Sequence, residues 1–355
     1  MLLYILLSLV IIMLVIYLSF KKLLNDPSYI MKFAKLQKNT NNVSLIINRN
    51  GERQISINPN IILPLASTVK IVIAMEYARQ ISEGIIDQNT IIPKEELDKF
   101  HVKGTDGGAH EGWLKHFNNK DNFSLKEIAI GVITFSSNAN TEYLLHYLGM
   151  DNINSIPKKY GLNYHSNIYP IVSALYISNY VAEQEPTLTK DELLEKIKGL
   201  SDKEYVEYTL LIHQHLLNKT SHPYLQKEVK LDLNFQRVWS DRLPASTAED
   251  YLKLMTLINN RELENSIMQK TLEDIMGYGL MASPKNKETF EFAGHKGGST
   301  AFLYTYAAYA TDRQANKTEI VLLSNNLNRF QFIKISKNLN SFVQKVLLNT
   351  DFTKK

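Results

Sequence analysis

Three features of the chain predict an α+β fold. Two β-rich runs, residues 43–48 and 54–58, flank Asn50-Gly51, a two-residue pair that favours the positive φ angles of a tight hairpin. Residues 67 to about 281 then carry mostly helical apolar spacing, and strand-like runs return only at 300–310 and 319–324 before a last helical pattern at 330–348. Strands from both ends of the chain must therefore meet in one antiparallel sheet, with the helical block inserted between them and packed against it.

Residues 1–20 contain no charged side chain and are rich in Leu, Ile and Val. As a helix they span about 30 Å at about 1.5 Å per residue, the thickness of a bilayer core, so the stretch reads as one N-terminal transmembrane anchor. Residues 21–42 read as a polar linker and 43–355 as a single domain. Lys21, Lys22, Lys32, Lys35 and Lys38 follow the anchor, and flanking charge alone would hold them in the cytoplasm. Large domains translocate largely regardless of such charge, and the chemistry below calls for an extracytoplasmic domain at the bacterial surface or in the periplasm.

The chain has 355 residues and no cysteine, which excludes disulfides, thiolate metal sites and cysteine nucleophiles. Its formal charge of +4 is spread without a basic block beyond the first forty residues, so no nucleic-acid footprint is read. No internal repeat is present. Helices are expected at 125–133, 140–148, 171–181, 190–198, 203–217 and 248–258.

The chemistry concentrates at Ser67. Pro64 stops the preceding apolar run, Ser67 or Thr68 is placed to cap, and residues 71–81 are apolar on nearly every side, with Gly84 as the stop. Lys70 lies three residues on, so the serine and the lysine share a helical face and form a nucleophile beside its own base. Spacing alone does not single out this pair, because Ser155 and Lys158 share it. There, however, Pro157 and polar neighbours give no buried helical start. Further along, Ser136 and Asn138 put a hydroxyl and an amide two apart in a short polar link. His295-Lys296-Gly297-Gly298-Ser299-Thr300 then precedes an apolar strand, with glycines that permit close backbone approach. Among the histidines no helical i,i+4 pair with a carboxylate stands out, so no metal and no organic cofactor is expected.

In these motifs and their order the sequence resembles the penicillin-recognising serine enzymes, class A β-lactamases and penicillin-binding DD-peptidases, which share S-x-x-K, S-x-N and K-T/S-G. Ser67-Thr68-Val69-Lys70 matches the first, Ser136-Ser137-Asn138 the second, and Lys296-Gly297-Gly298 the third, with glycine at the usual hydroxyl position. Pro244-Ala245-Ser246-Thr247-Ala248 looks like the family's lead into a late helix, and residues 150–240 form a longer, looser stretch.

The resemblance implies that Ser67 attacks the carbonyl of a β-lactam or a D-Ala-D-Ala peptide. The backbone N–H groups of Ser67 and Ser299 would stabilise the oxyanion, each such donor being worth about 3 to 4 kcal/mol in the transition state. Lys70 would serve as base, Ser136 would relay a proton to the leaving nitrogen, and Asn138 would bind the substrate amide. Lys296 would stay charged and hold the carboxylate, with Gly298, Ser299 and Thr300 completing that wall.

To act as a base near pH 7, Lys70 must lose about three pKa units, roughly 4 kcal/mol, which burial beside Lys296 would supply. Glu185, in Glu185-Pro186-Thr187-Leu188, looks like the run that carries the deacylating glutamate of class A enzymes, or is simply an acidic helix start. Asp106 and His110, beside Gly104, Gly107 and Gly108, either reach the mouth of the cleft or belong to a surface turn.

The reading is a monomeric, membrane-anchored serine hydrolase forming an acyl-enzyme at Ser67. A DD-carboxypeptidase or transpeptidase is the alternative within the enzymes, and a membrane-tethered binding module is the non-catalytic one. On this reading Ser67→Ala abolishes covalent labelling by fluorescent penicillin while Ser155→Ala leaves it intact; equal labelling of both variants on a gel would refute the assignment.

Overall fold

The computed structural model describes residue 13, residues 25–349 and residues 351–353. The expected anchor, 1–20, thus lies outside the described residues except for Met13, and among the described residues no helix is long and apolar enough to cross a membrane.

The strands of the main sheet are β1 (Val43–Arg49), β2 (Glu52–Ile57), β3 (Phe290–Ser299), β4 (Tyr304–Asp312) and β5 (Lys317–Ser324). They lie in the order β2-β1-β5-β4-β3, every neighbouring pair antiparallel. The hairpin forms at Asn50 and Gly51, both with positive φ (50° and 80°), as a tight two-residue turn requires. Chain ends meet where β1 pairs with β5 along Val43↔Ser324 to Arg49↔Thr318.

Alternate side chains divide the sheet into two cores. Leu45, Ile47, Ala308 and Leu322 face the helices Tyr29–Leu36 and Arg329–Leu348. Ile46, Ala307, Tyr309 and Val321 join the main core with the helices Lys70–Ser82, Ala248–Asn259 and Ser266–Gly277.

The helix Lys70–Ser82 runs through this core, burying every residue from Lys70 to Ala78. It ends as expected at Gly84 (φ 68°), where Gly84 N–H donates to Ile81 O and Ile85 N–H to Gln80 O. Its start differs from expectation. A 3₁₀ turn, Ala66–Val69, precedes it without a side-chain cap, and Thr68 Oγ1 bonds Thr305 Oγ1 instead (2.7 Å).

Three other segments depart from the sequence reading. Residues 21–42 are not only a linker, because the helix Tyr29–Leu36 buries Ile30, Met31, Phe33 and Ala34 against the domain. Eight residues among lysines and asparagines were too short to register as a periodic segment. The third motif does not merely precede a strand: it lies in edge strand β3, and the following strand begins at Tyr304 rather than at residue 300. Two consecutive glycines lower strand propensity and hid it. Pro157 sits inside the helix Met150–Lys159, near its end, and Ser155 on that helix is exposed.

The stretch after residue 160 builds a satellite core of its own. Ile177–Gln184, Lys190–Gly199, Asp202–Leu217 and Leu233–Asp241 pack around Leu193, Tyr205, Ile212, Tyr224 and Phe235. Truncating a fully packed phenylalanine typically costs about 3 to 4 kcal/mol. Phe33→Ala is therefore expected to lower the unfolding free energy by about 3 kcal/mol, and Leu36→Ala, at an 81% exposed position, by less than about 0.5 kcal/mol in urea titrations.

Candidate active site

Ser67 is half-buried in the 3₁₀ turn at the front of its helix and opens into a cleft of about 630 Å³. Ala66, just before it, is held at φ 43°, an angle that a residue with a side chain adopts at a cost. The lead-in is fixed by a short ladder, Leu63↔Ser246 and Pro64↔Ala245, and by Leu65 N–H donating to Pro244 O (2.9 Å). Those partners are the Pro244–Ser246 run singled out from the sequence.

Lys70 is fully buried, and its ammonium reaches across to the second motif. Nζ lies 2.7 Å from Ser136 O, 3.3 Å from Ser136 Oγ and 3.0 Å from Asn138 Oδ1. Burial, and next the charge of Lys296, hold its pKa well below the ordinary lysine value, against the opposing pull of Asp106 and Glu142. Ser136 owes its position to a turn of π-helix, Gly131–Phe135, after which it takes φ 67°. Gly131 is required there, since a Cβ would fall 2.0 Å from Asn140 Nδ2 and 2.8 Å from Trp113 Nε1. Ser137 caps the next helix, Asn138–Leu148, by accepting from Asn140 N–H (3.2 Å).

Strand β3 brings in the third motif. Lys296 is 4% exposed and donates to Gly297 O (2.7 Å), and burial lowers its pKa to about 7. Desolvation thus opposes the charge that the sequence reading gave Lys296. Gly298 lies directly against the nucleophile: a Cβ on it would stand 2.5 Å from Ser67 N and 3.0 Å from Ala66 Cβ. Gly297 has room, with nothing nearer than 3.6 Å to such an atom. Ser299 and Thr300 line the cleft, and Thr300 Oγ1 bonds Ser240 Oγ (2.7 Å).

The remaining candidates separate. Asp106 lines the cleft, but its carboxylate is taken up by backbone, accepting from Ala109 N–H (3.1 Å), His110 N–H (3.2 Å) and Asn138 N–H (3.3 Å). It braces the glycine loop against the second motif. His110 is fully buried behind that motif, with Nδ1 2.9 Å from Ser137 Oγ, its ring beside His101 and Trp113, and its pKa lowered to about 4 mainly by burial. It does not line the cleft. Glu185 lies outside the cleft, paired with Lys196 on the helix Lys190–Gly199, so the deacylating role is not its own. Nor is it an acidic helix start: Glu185 follows the last residue of the helix Ile177–Gln184 as its C-cap, and the next helix begins at Lys190 with Thr189 as its cap.

Sequence reasoning missed the cleft wall made by Ile171, Leu175, Leu231, Trp239 and Leu243. It also missed Glu142, fully buried one turn after Asn138, which accepts from Val172 N–H (3.0 Å), Ser173 N–H (3.0 Å) and Ser173 Oγ (2.5 Å) and so holds that wall. Its only signal was a glutamate one turn after Asn138, directly before the apolar run Tyr143-Leu144-Leu145.

The profile of the beta-lactamase enzyme family matches residues 28–279. The chain belongs to the beta-lactamase enzyme family. It is a serine hydrolase of the β-lactamase type, and its fold is that of the class A enzymes. A class A β-lactamase from Bacteroides cellulosilyticus superposes at TM-score 0.54 with 16% identity, covering 91% of this chain and 99% of that one. A β-lactamase from Sphaerobacter thermophilus gives 0.53 at 14% identity, over 91% and 97%. A variant of PBP-A, solved as its acyl-enzyme complex with penicillin G, gives 0.51 at 15%, over 88% and 94%. Among curated proteins none matches.

In this beta-lactamase family member the two glycines of the third motif differ in what they tolerate. Gly298→Ala forces β3 off Ser67 and is expected to slow acylation at least about 100-fold, the usual cost of a 1 Å misplacement. Gly297→Ala is expected to stay within about threefold; stopped-flow acylation rates that rank the two the other way would contradict this packing.

Proposed function

We propose that the protein acts on β-lactams, or on the related D-Ala-D-Ala amides of cell-wall peptides, through an acyl-enzyme at Ser67, on the outer side of a membrane to which residues 1–20 anchor it. The observation that carries the acyl-enzyme reading is Lys70, fully buried, depressed in pKa, and hydrogen-bonded to both functional residues of the second motif. A neutral amine on the helical face of Ser67 is the base that a serine nucleophile needs.

In this scheme Lys70 Nζ takes the Ser67 hydroxyl proton as Oγ bonds to the carbonyl carbon. The oxyanion lies on the N–H groups of Ser67 and Ser299. As the C–N bond breaks, the proton passes from Lys70 through Ser136 Oγ, 3.3 Å away, to the leaving nitrogen. Water then adds to the ester, giving a carboxylic acid and free Ser67. Asn138 would orient the substrate amide, while Lys296, with Thr300 beside it, would take the carboxylate. No metal or cofactor enters this scheme, and a monomer suffices for it because one chain supplies every residue.

One observation favours the penicillin-binding DD-peptidase as a second reading. Asp106 is the only carboxylate among the residues lining the cleft, and three backbone N–H groups occupy it. Activation of the second-step water then falls to Lys70, and release is slow relative to attack.

The test combines chromogenic cephalosporin turnover with labelling by benzylpenicillin across pH 5.5–9. Steady turnover supports the β-lactamase reading, and a lasting adduct on Ser67 supports the second. Raising the pH through about 7 removes the Lys296 proton, so kcat/KM for acylation by an anionic penicillin is expected to fall about tenfold per pH unit above it, a limb that a neutral ester lacks. A flat profile for the anionic substrate would remove Lys296 from carboxylate binding.

A further inference from the structure

We infer that the layer formed by the helices Tyr29–Leu36 and Arg329–Leu348 is a docking surface for anionic phospholipid headgroups, which lays the domain down on the membrane. It deepens the reading of residues 1–20 as an anchor and rests on that reading for the tether.

Along the sequence the cations are scattered, but the fold gathers them. The two helices cover one face of the sheet, burying Ile30, Phe33, Ile335, Leu339 and Phe342 against Leu45, Ile47 and Leu322. Their exposed side chains therefore point away from the sheet. Neither helix contains an Asp or a Glu, whereas together they carry Lys32, Lys35, Arg329, Lys334, Lys337 and Lys345. Lys38 follows shortly after the first helix, and no acidic residue occurs from 27 to 51. All of these cations except Lys334 are exposed. Lys334 is buried, with Nζ 4.2 Å from the ring centre of Tyr29 on the other helix, and so joins the two.

The layer also lacks counter-charge. Elsewhere many surface cations lie against carboxylates, as Lys94 does on Asp98 (2.6 Å), Arg53 on Glu249 (2.9 Å) and Arg237 on Asp241 (2.7 Å). Among the described residues Lys35, Lys38, Arg329 and Lys337 form no ion pair. The acidic groups at the rim are Asp26, paired with Lys32 (3.0 Å), and Asp351, which lines a hollow together with Asp26 and Lys345. Between the cations the layer exposes Leu36, Phe330 and Leu348. Cations around apolar tips suit the boundary between phosphate headgroups and acyl chains, where each unpaired positive charge strengthens binding about fivefold. The tether selects this occupant. Tyr29 follows residue 20 so closely that the chain between them spans at most about 30 Å, and an apolar segment in the bilayer keeps this layer within reach of the headgroups.

The chain has no cysteine, so a single labelling site is created by one substitution. Full-length protein is reconstituted into vesicles of phosphatidylcholine alone or with phosphatidylglycerol added. It carries a fluorophore on Ser341→Cys, at an exposed position of the layer, or on Ser155→Cys, at an exposed position of the helix Met150–Lys159. Quenching by a nitroxide-labelled headgroup is expected to be at least about threefold greater for Ser341→Cys in anionic than in neutral vesicles, and to stay low for Ser155→Cys in both. Adding Lys35→Gln and Lys337→Gln weakens docking about 25-fold, so quenching at position 341 is expected to drop to the neutral-vesicle level, as it does at high salt. Equal quenching at position 341 in the two kinds of vesicle, or quenching that survives the two lysine substitutions, overturns the inference. Flotation with neutral vesicles reads the anchor separately. A chain that does not float with them overturns the anchor, while charge-dependent quenching in anionic vesicles still upholds the docking face.

Discussion

The constraint on which the site depends is the burial of an amine. Lys70 has no exposed surface, and three oxygens of the second motif surround its Nζ. An ammonium in such a place must be solvated by protein or lose its proton, and the site offers it oxygens while burial lowers its pKa. The carbonyl of Ser136 and the amide of Asn138 receive it, while the apolar helix around it and the nearby Lys296 weaken its hold on the proton. That balance requires Ser136 to turn its carbonyl inward, which the π-turn and its φ of 67° accomplish. Strain beside the nucleophile, at Ala66, and strain at the relay, at Ser136, are therefore two ends of one arrangement.

A second constraint is distance between backbones. The sheet assembled from both chain ends leaves β3 as its edge beside the helical block, and Gly298 lets that edge approach Ser67. Thr305 on the neighbouring strand clamps the approach: its hydroxyl lies 2.8 Å from Leu65 O and 2.7 Å from Thr68 Oγ1. Helix start and strand edge are thus locked together through two threonines, with the nucleophile between them. Thr68, read from the sequence as a possible cap, is used for this tertiary bond instead.

The helical insertion adds a third element, a cleft wall with its own core. Its residues supply no carboxylate to the cleft lining, and the buried glutamate that holds it, Glu142 of the helix Asn138–Leu148, accepts from its backbone at Val172 and Ser173. The same wall gives the cleft the apolar side chains of Ile171, Leu175, Leu231, Trp239 and Leu243.

Local chemistry made much of this legible before any coordinates. The hairpin at Asn50-Gly51, the helix Lys70–Ser82 with its stop at Gly84, and the order of Ser67, Lys70, Ser136, Asn138 and Lys296 follow from turn propensity, apolar spacing and residue type, which act over a few residues. The helix Tyr29–Leu36 and strand β3 were hidden because their stability comes from what they pack against, not from their own composition. Asp106, His110 and Glu185 had the right chemistry for a site, but only the tertiary structure set the first to bracing a loop, buried the second behind the second motif and put the third outside the cleft. Sequence alone determined that Ser67 and Lys70 lie within one helical turn of each other, because that spacing is local. The protonation of Lys70 and Lys296 and the apolar wall were decided by tertiary structure, because desolvation is set by residues distant in the chain.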